Sequence, residues 1–354
     1  MVTVKTRESS FELLRLISQY MIVIGHLLQV TITPTLEDPF YRAIMFPLHV
    51  AVPCFVMISG YFGIRASIKG LVNLLKFVIV LYVPLLIIKF IMIGGGTNDI
   101  LAILFPVSRT NTWFIRTYLW LFLLSPLVNK ALKHSSLQQK VVYAICLFVI
   151  SNYAGTIGND ITLTGGKNIV TFIFYYLIGH ILSQTKNIWS KFEKKKLLTI
   201  YILCNVIVVT FFSLFCDNRI INGIFVFCFV RYNSPFLWLN ALLTFMLITG
   251  FSFHSNSINK IAQSCLSIYL LHCSFISWML VKPVMRFIVD FSSSTFITFM
   301  LTCMMALIIV FVCICIHFML SPLWNIFTTI GVKLQNYSEQ LFSNLVEKTN
   351  INRE

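Results

Sequence analysis

Charge is what this chain lacks most. Only 11% of its 354 residues are Asp, Glu, Lys or Arg, and just 12 are acidic. A soluble domain carries about 25% charged residues, so this chain has too little polar surface to face water all round. Chemical signatures are missing as well. No P-loop is present, which argues against ATP as the energy source, and no HExxH or Cys/His ligand spacing implies a metal. The ten Cys form no CxxC pair, and most lie in apolar runs, where Cys behaves as a small hydrophobe. A cleavable signal is not expected either. Nothing near residue 30 looks like a small-residue cleavage site, and similar apolar segments recur to the end of the chain.

What remains is apolar: 58% hydrophobic residues, 33 Phe and a mean hydropathy of +0.85. This composition defines an all-α, polytopic transmembrane helical bundle. A spanning helix needs roughly 20 mostly apolar residues. Ten stretches qualify, near 12–30, 43–62, 71–93, 112–132, 141–157, 168–184, 197–216, 234–252, 261–281 and 294–320. Polar, turn-rich pieces such as "TPTLEDP", "GGGTND", "GNDITLTGGK" and "DFSSS" separate them. The apolar core of "NRIINGIFVFCFVRYNSP", residues 218–235, is too short to span and reads as an outer loop or a re-entrant segment.

The net charge of +15 raises the question of nucleic acid, but the basic residues sit in short inter-helix loops instead of one stripe. Membrane orientation and anionic lipid account for them better. With ten spans and the N-terminus inside, 18 of the 27 Lys and Arg fall on the cytoplasmic side and eight outside. The positive-inside rule then places both termini in the cytoplasm, with "KFEKKK" as the strongest anchor. Residues 1–325 form the transmembrane domain, and 326–354 form a short cytoplasmic tail.

The first apolar segment, "SSFELLRLISQYMIVIGHLLQV", contains Glu12, Arg15 and His26. Residues eleven apart on a helix are about 16 Å apart along its axis and nearly on one face. Arg15 and His26 therefore align, with Gln19 and Ile22 between them, while Glu12 is placed to pair with Arg15. Such a stripe has to face a cavity or partner helices, because ionisable groups in lipid are costly.

An acidic residue, "LR" and a His eleven positions after the Arg resemble the opening helix of the acyltransferase family 3 of integral membrane proteins. That family includes bacterial polysaccharide O-acetyltransferases and more often has Asp at the position of Glu12. The likeness continues through "FVMISGYFG" (55–63), "TWFIRTYLWLFLLSPLVNKAL" (112–132) and "CLSIYLLH" (265–272), in that order. It implies transfer of an acyl group, commonly acetyl, from cytoplasmic acetyl-CoA to a hydroxyl of a cell-surface or lipid-linked glycan. The setting implied is the bacterial cytoplasmic (inner) membrane, with membrane lipids as neighbours and neither metal nor nucleic acid as partner. On this resemblance His26, Arg15 and Glu12 form the catalytic stripe.

An imidazole suits the chemistry, whether as a general base on the acceptor hydroxyl or as a transient acyl carrier. Arg65 and Lys69 are expected to hold the CoA phosphates with Arg15, although the family more often has two Arg three apart there. Asn111, Trp113 and Arg116 offer an aromatic platform beside polar groups for a sugar ring, and Tyr269 and His272 either complete the polar centre with His26 or form a hydrogen-bonded packing pair. Two other classes fit a polytopic helical chain: a transporter or flippase, and a glycan polymerase. No internal repeat supports the first, and no large outer loop supports the second.

Overall fold

The computed structural model describes residues 8–31, 39–110, 112–158, 161–215, 218–292 and 294–351. Among these the chain is helical with no strand, as the apolar composition requires of a bundle that satisfies its backbone within each segment. Polar residues start the helices. Ser67 accepts from the Gly70 amide, Asn168 from that of Thr171 and Ser274 from that of Ser277, while Ser136 and Gln139 form a reciprocal capping box.

Helix α1 (Ser9–Thr31) is the centre of the bundle. It contacts α2 (Pro39–His49), α3 (Ala51–Phe62), the helix Pro235–Thr249, both halves of the 256–291 region and the helix Thr295–Met319. Its Phe11, Leu14, Val23, Leu27 and Leu28 are buried among these neighbours, so little of α1 is left to face lipid. That surround explains how the helix tolerates Glu12, Gln19 and His26.

Close packing fixes α3 against the helix Ile169–Gln184. A side chain on Gly60 would overlap the carbonyl of Tyr176, and one on Gly179 the carbonyl of Met57. Small residues at such crossings let helix backbones meet without a hydrophobic driving force between them. The Tyr176 hydroxyl donates to Asn129 Oδ1 at 2.7 Å and accepts from the Ile64 amide at 2.9 Å, which pins the chain just beyond α3.

Among the described residues, five helices are long and apolar enough to cross a membrane: Ser9–Gln29, Ala43–Phe62, Ile68–Ile93, Lys194–Phe215 and Thr295–Met319. Two bent pairs raise the number to at most seven, against ten expected. The expected spans near 112–132 and 168–184 are helices, Trp113–Lys133 and Ile169–Gln184. The first is diluted by Arg116 and Lys130, and the second is only 16 residues long. The stretch 141–157 begins as the helix Leu137–Val149 and widens into π turns over Ile150–Ile157.

Two expectations are refined. Residues 220–230 form a helix joined to Pro235–Thr249 at 41°, the geometry of a broken or re-entrant element. Residues 261–281 do not make one straight helix. The chain bends by 79° between Asn256–His272 and Phe275–Phe291, where the Ser274 side chain starts a new helix. His272 therefore stands on the last turn of a helix instead of in mid-span. The C-terminal residues form a long helix, Ser321–Ile351, packed on Ile68–Phe77.

Candidate functional site

The bend after His272 and the central position of α1 bring two histidines together. His26 Nδ1 lies 2.9 Å from His272 Nε2, and the rings stack at 5.1 Å with 27° between planes. His272 is buried, and its Nδ1 lies 2.6 Å from the carbonyl of Ile268, one turn earlier. A carbonyl only accepts, so that Nδ1 carries a proton. In a neutral ring this leaves Nε2 as the acceptor. His26 must then donate from Nδ1 to His272, and its own Nε2 keeps a free lone pair. The pair thus fixes one tautomer of His26, with a basic nitrogen available for a substrate proton.

Cys273 completes the cluster, its Sγ lying 3.5 Å from His26 Nδ1 and 3.4 Å from His272 Nε2. The three donor atoms lie within 4.8 Å of one another, a set that could also hold a soft divalent ion. The imidazole–imidazole hydrogen bond satisfies the same atoms without one.

His26 opens onto a cavity of about 560 Å³ towards the Thr31 end of α1, lined among others by Gln29, Tyr82, Trp113, Tyr269 and Cys273. Lys89, Asp99 and Arg109 are charged groups of this wall. Lys89 Nζ lies 2.9 Å from Asp99 Oδ1, and the Gly96 amide donates to Asp99 Oδ2 at 3.3 Å. The hydrogen bond from Lys89, then that from Gly96, holds the Asp99 carboxyl below its ordinary value. Lys167 stands 5.3 Å above the Trp113 ring, and burial pushes its ammonium pKa down.

Towards the Ser9 end lies a second cavity of about 370 Å³, lined by Glu12, Arg15, Gln19, Ile22, Ser59 and Tyr118 among others. Glu12 is buried and forms an ion pair with Arg15 at 2.5 Å. Tyr269 borders both cavities. Between them a gap of about 40 Å³, lined by Ile22, Gly25, His26, His49, Phe114 and Tyr269, separates the two spaces. The polar stripe of α1 thus runs along one path: Arg15 in one cavity, His26 in the other.

The sequence-derived residues fall into three groups. Arg15, Glu12, His26, Trp113, Tyr269 and His272 line the two cavities or touch a residue that does. Arg65 sits at an exposed vestibule that also contains Arg15 and Ser59. Arg116 and Lys69 line neither cavity: Arg116 is half-buried on its helix, and the Lys69 amide donates to Gln335 of the C-terminal helix at 3.3 Å. Asn111 lies outside the described residues. Arg109, Lys89, Asp99 and Cys273 escaped the sequence reading. Only Cys273, next to a singled-out His, carried a local signal.

A membrane-embedded helical bundle with a histidine pair between two cavities is the class these features define. The chain belongs to the acyltransferase 3 family, whose acyltransferase domain model matches residues 8–318. It is therefore a multi-pass membrane acyltransferase. No curated protein and no solved structure matches the chain.

Proposed function

We propose that this acyltransferase moves an acetyl group from cytoplasmic acetyl-CoA to a hydroxyl of a cell-surface or lipid-linked glycan, in the bacterial inner membrane. The observation that carries this reading is the position of the His26–His272 pair where a cavity from each end of the bundle meets the narrow gap beside Tyr269. Donor and acceptor arriving from opposite faces need such a meeting point. The excess of basic residues on the loops at the Ser9 end supports that end as cytoplasmic, with both termini there.

In this mechanism the donor's thioester arm extends past Arg15 and the glycan hydroxyl reaches His26 from the outer cavity. His26 Nε2 takes the hydroxyl proton as the oxygen attacks the thioester carbonyl carbon. The new C–O bond forms, the C–S bond breaks, and the departing CoA thiolate takes up a proton. His272 is a positioning residue, because it sets the His26 tautomer through the 2.9 Å contact. Trp113 and Tyr269 offer aromatic faces to a sugar ring. Arg15, with its charge balanced by Glu12, guides the donor without reaching the reacting atoms, since it lies about 16 Å from His26 by helical rise.

The test is direct: purified protein is mixed with labelled acetyl-CoA and a glycan acceptor. Label in the glycan with equimolar release of free CoA thiol supports the reading. Acceptor-independent thioester hydrolysis, or no turnover over a panel of glycans, counts against it.

A further inference from the structure

A third cavity, of about 450 Å³, lies at the Ser9 end between the ends of four helices and has no place in the mechanism above. Its chemistry is one-sided. Arg65, Lys133, Lys140 and His180 line it with Asn129 and Gln184, and among the described residues no acidic side chain does. Lys140 is buried, 3% exposed, and its Nζ donates to a neutral amide, Gln184 Oε1, at 3.0 Å. Nearby, His180 Nε2 is buried with no hydrogen-bond partner. A buried ammonium without a counter-charge is costly, and so is an orphaned ring nitrogen. An anion with several oxygen acceptors relieves both at once.

The cavity is also connected. Phe62, Gly63, Ile64 and Arg65 belong both to it and to the vestibule that contains Arg15. The vestibule in turn shares Arg15, Ser59, Leu74 and Tyr118 with the inner cavity. A phosphate-rich head in the basic cavity can thus be continuous with a slim arm directed at the histidine pair. The cation count fits a ligand carrying more than one phosphate. Arg65 stands at the junction, where a planar guanidinium can bridge two phosphate groups.

We propose that this cavity binds the phosphorylated nucleotide end of the acyl donor, with Lys140 and Lys133 as its principal anion contacts and His180 as a further one. The inference rests on the acyl-CoA reading given above and extends it to residues outside the motifs. It assigns to Lys140, on another helix, a cation role that the motif-based reading gave to Lys69, whose backbone amide is tied to Gln335 of the C-terminal helix.

The experiment uses the full chain in neutral detergent and three readouts, the last of them binding to anionic-lipid vesicles. The first is equilibrium binding of an adenosine bisphosphate, which needs no acceptor and no turnover. The second compares steady-state transfer from acetyl-CoA with transfer from acetyl-pantetheine, a donor lacking the nucleotide. Lys140→Met, which keeps the buried volume, and Lys133→Ala are expected to weaken nucleotide binding and raise the KM for acetyl-CoA about tenfold or more. Their kcat, and all constants for acetyl-pantetheine, stay within about twofold; Lys140→Arg recovers the nucleotide effect. Unchanged nucleotide binding in both variants overturns the proposal. So does equal impairment with both donors, which would make Lys140 a structural residue. Loss of binding to anionic-lipid vesicles with nucleotide binding intact would assign the cavity to a lipid headgroup and also overturn it. Nucleotide binding that depends on Lys140 without transfer from either donor would keep the site and remove the transferase mechanism.

Discussion

His26 and His272 lie 246 residues apart in the chain and 2.9 Å apart in space, joined through ring nitrogens whose roles are set by the Ile268 carbonyl. Removing the second ring should release the first. His272→Ala is expected to lower kcat by about 10²-fold with little change in the KM of either substrate, because it disturbs a proton acceptor without touching a binding surface. His272→Gln, which can still accept from His26, should recover part of the rate and keep the wild-type pH profile. Equal losses in Ala and Gln variants, with raised KM, would show His272 to be a packing residue.

The α3 crossing makes a stability prediction. Gly60→Ala and Gly179→Ala each drive a methyl into a facing backbone carbonyl, so each should cost about 1–3 kcal/mol or more and lower the midpoint of thermal unfolding in detergent. Gly25→Ala is the control, since nothing lies within 4 Å of its added carbon. Equal effects at all three positions would contradict the close approach.

The Lys89–Asp99 contact predicts a pH effect on the wall of the cavity onto which His26 opens. Asp99 titrates below its ordinary value in the folded chain, so its contribution is fully present above the unfolded carboxylate pKa of about 3.9. It is lost as pH falls through the lower, folded value. Local opening of residues 96–104, read from hydrogen exchange corrected for the intrinsic pH dependence of amide exchange, should therefore rise only at acid pH in the wild type. Asp99→Asn should raise it already at pH 7 and abolish the acid step.

On the proposed mechanism the histidine pair works without an ion. Dialysis against a strong chelator is expected to leave turnover within about twofold of the untreated protein, and Cys273→Ala should be similarly active. Loss of activity on chelation that added zinc restores would show that His26, His272 and Cys273 hold a metal.

Much of this was legible in the chain. The stripe from Arg15 to His26 is periodic on one helix, and helical rise alone places its ends in separate spaces. Tyr269 and His272 lie within a family-like pattern; His272 contacts His26, and Tyr269 lines the same cavity. The 79° bend was not legible. It depends on Ser274 capping a new helix within an apolar run, and a single Ser has no distinctive signal in hydropathy. Nor was the basic cavity, because Lys133, Lys140 and His180 come from three separate helices. Lysines at helix ends satisfy the positive-inside rule whether or not they bind a ligand, so the charge pattern could not single them out. Of the ten expected spans, five to seven among the described residues meet the length and hydropathy a crossing needs, because several of the others are short or polar-ended helices.

Arg15 separates charge from shape. Arg15→Ala is expected to raise the KM for acetyl-CoA and to leave Glu12 buried without its guanidinium, with a loss of thermal stability. Arg15→Lys should restore stability more than donor affinity, because an ammonium keeps the charge but lacks the planar fork. Full recovery of both by Lys would reduce Arg15 to a counter-charge for Glu12.

The central claim is that His26 is the base, and the rate of labelled acetyl transfer by well-folded His26→Ala protein tests it most directly. Retention of the wild-type unfolding midpoint and of acetyl-CoA binding establishes that the variant is intact. The expected result is a fall in kcat of about 10²–10⁴ with donor affinity unchanged. Transfer to the glycan at near the wild-type rate would contradict the account and leave His26 as a packing partner of His272.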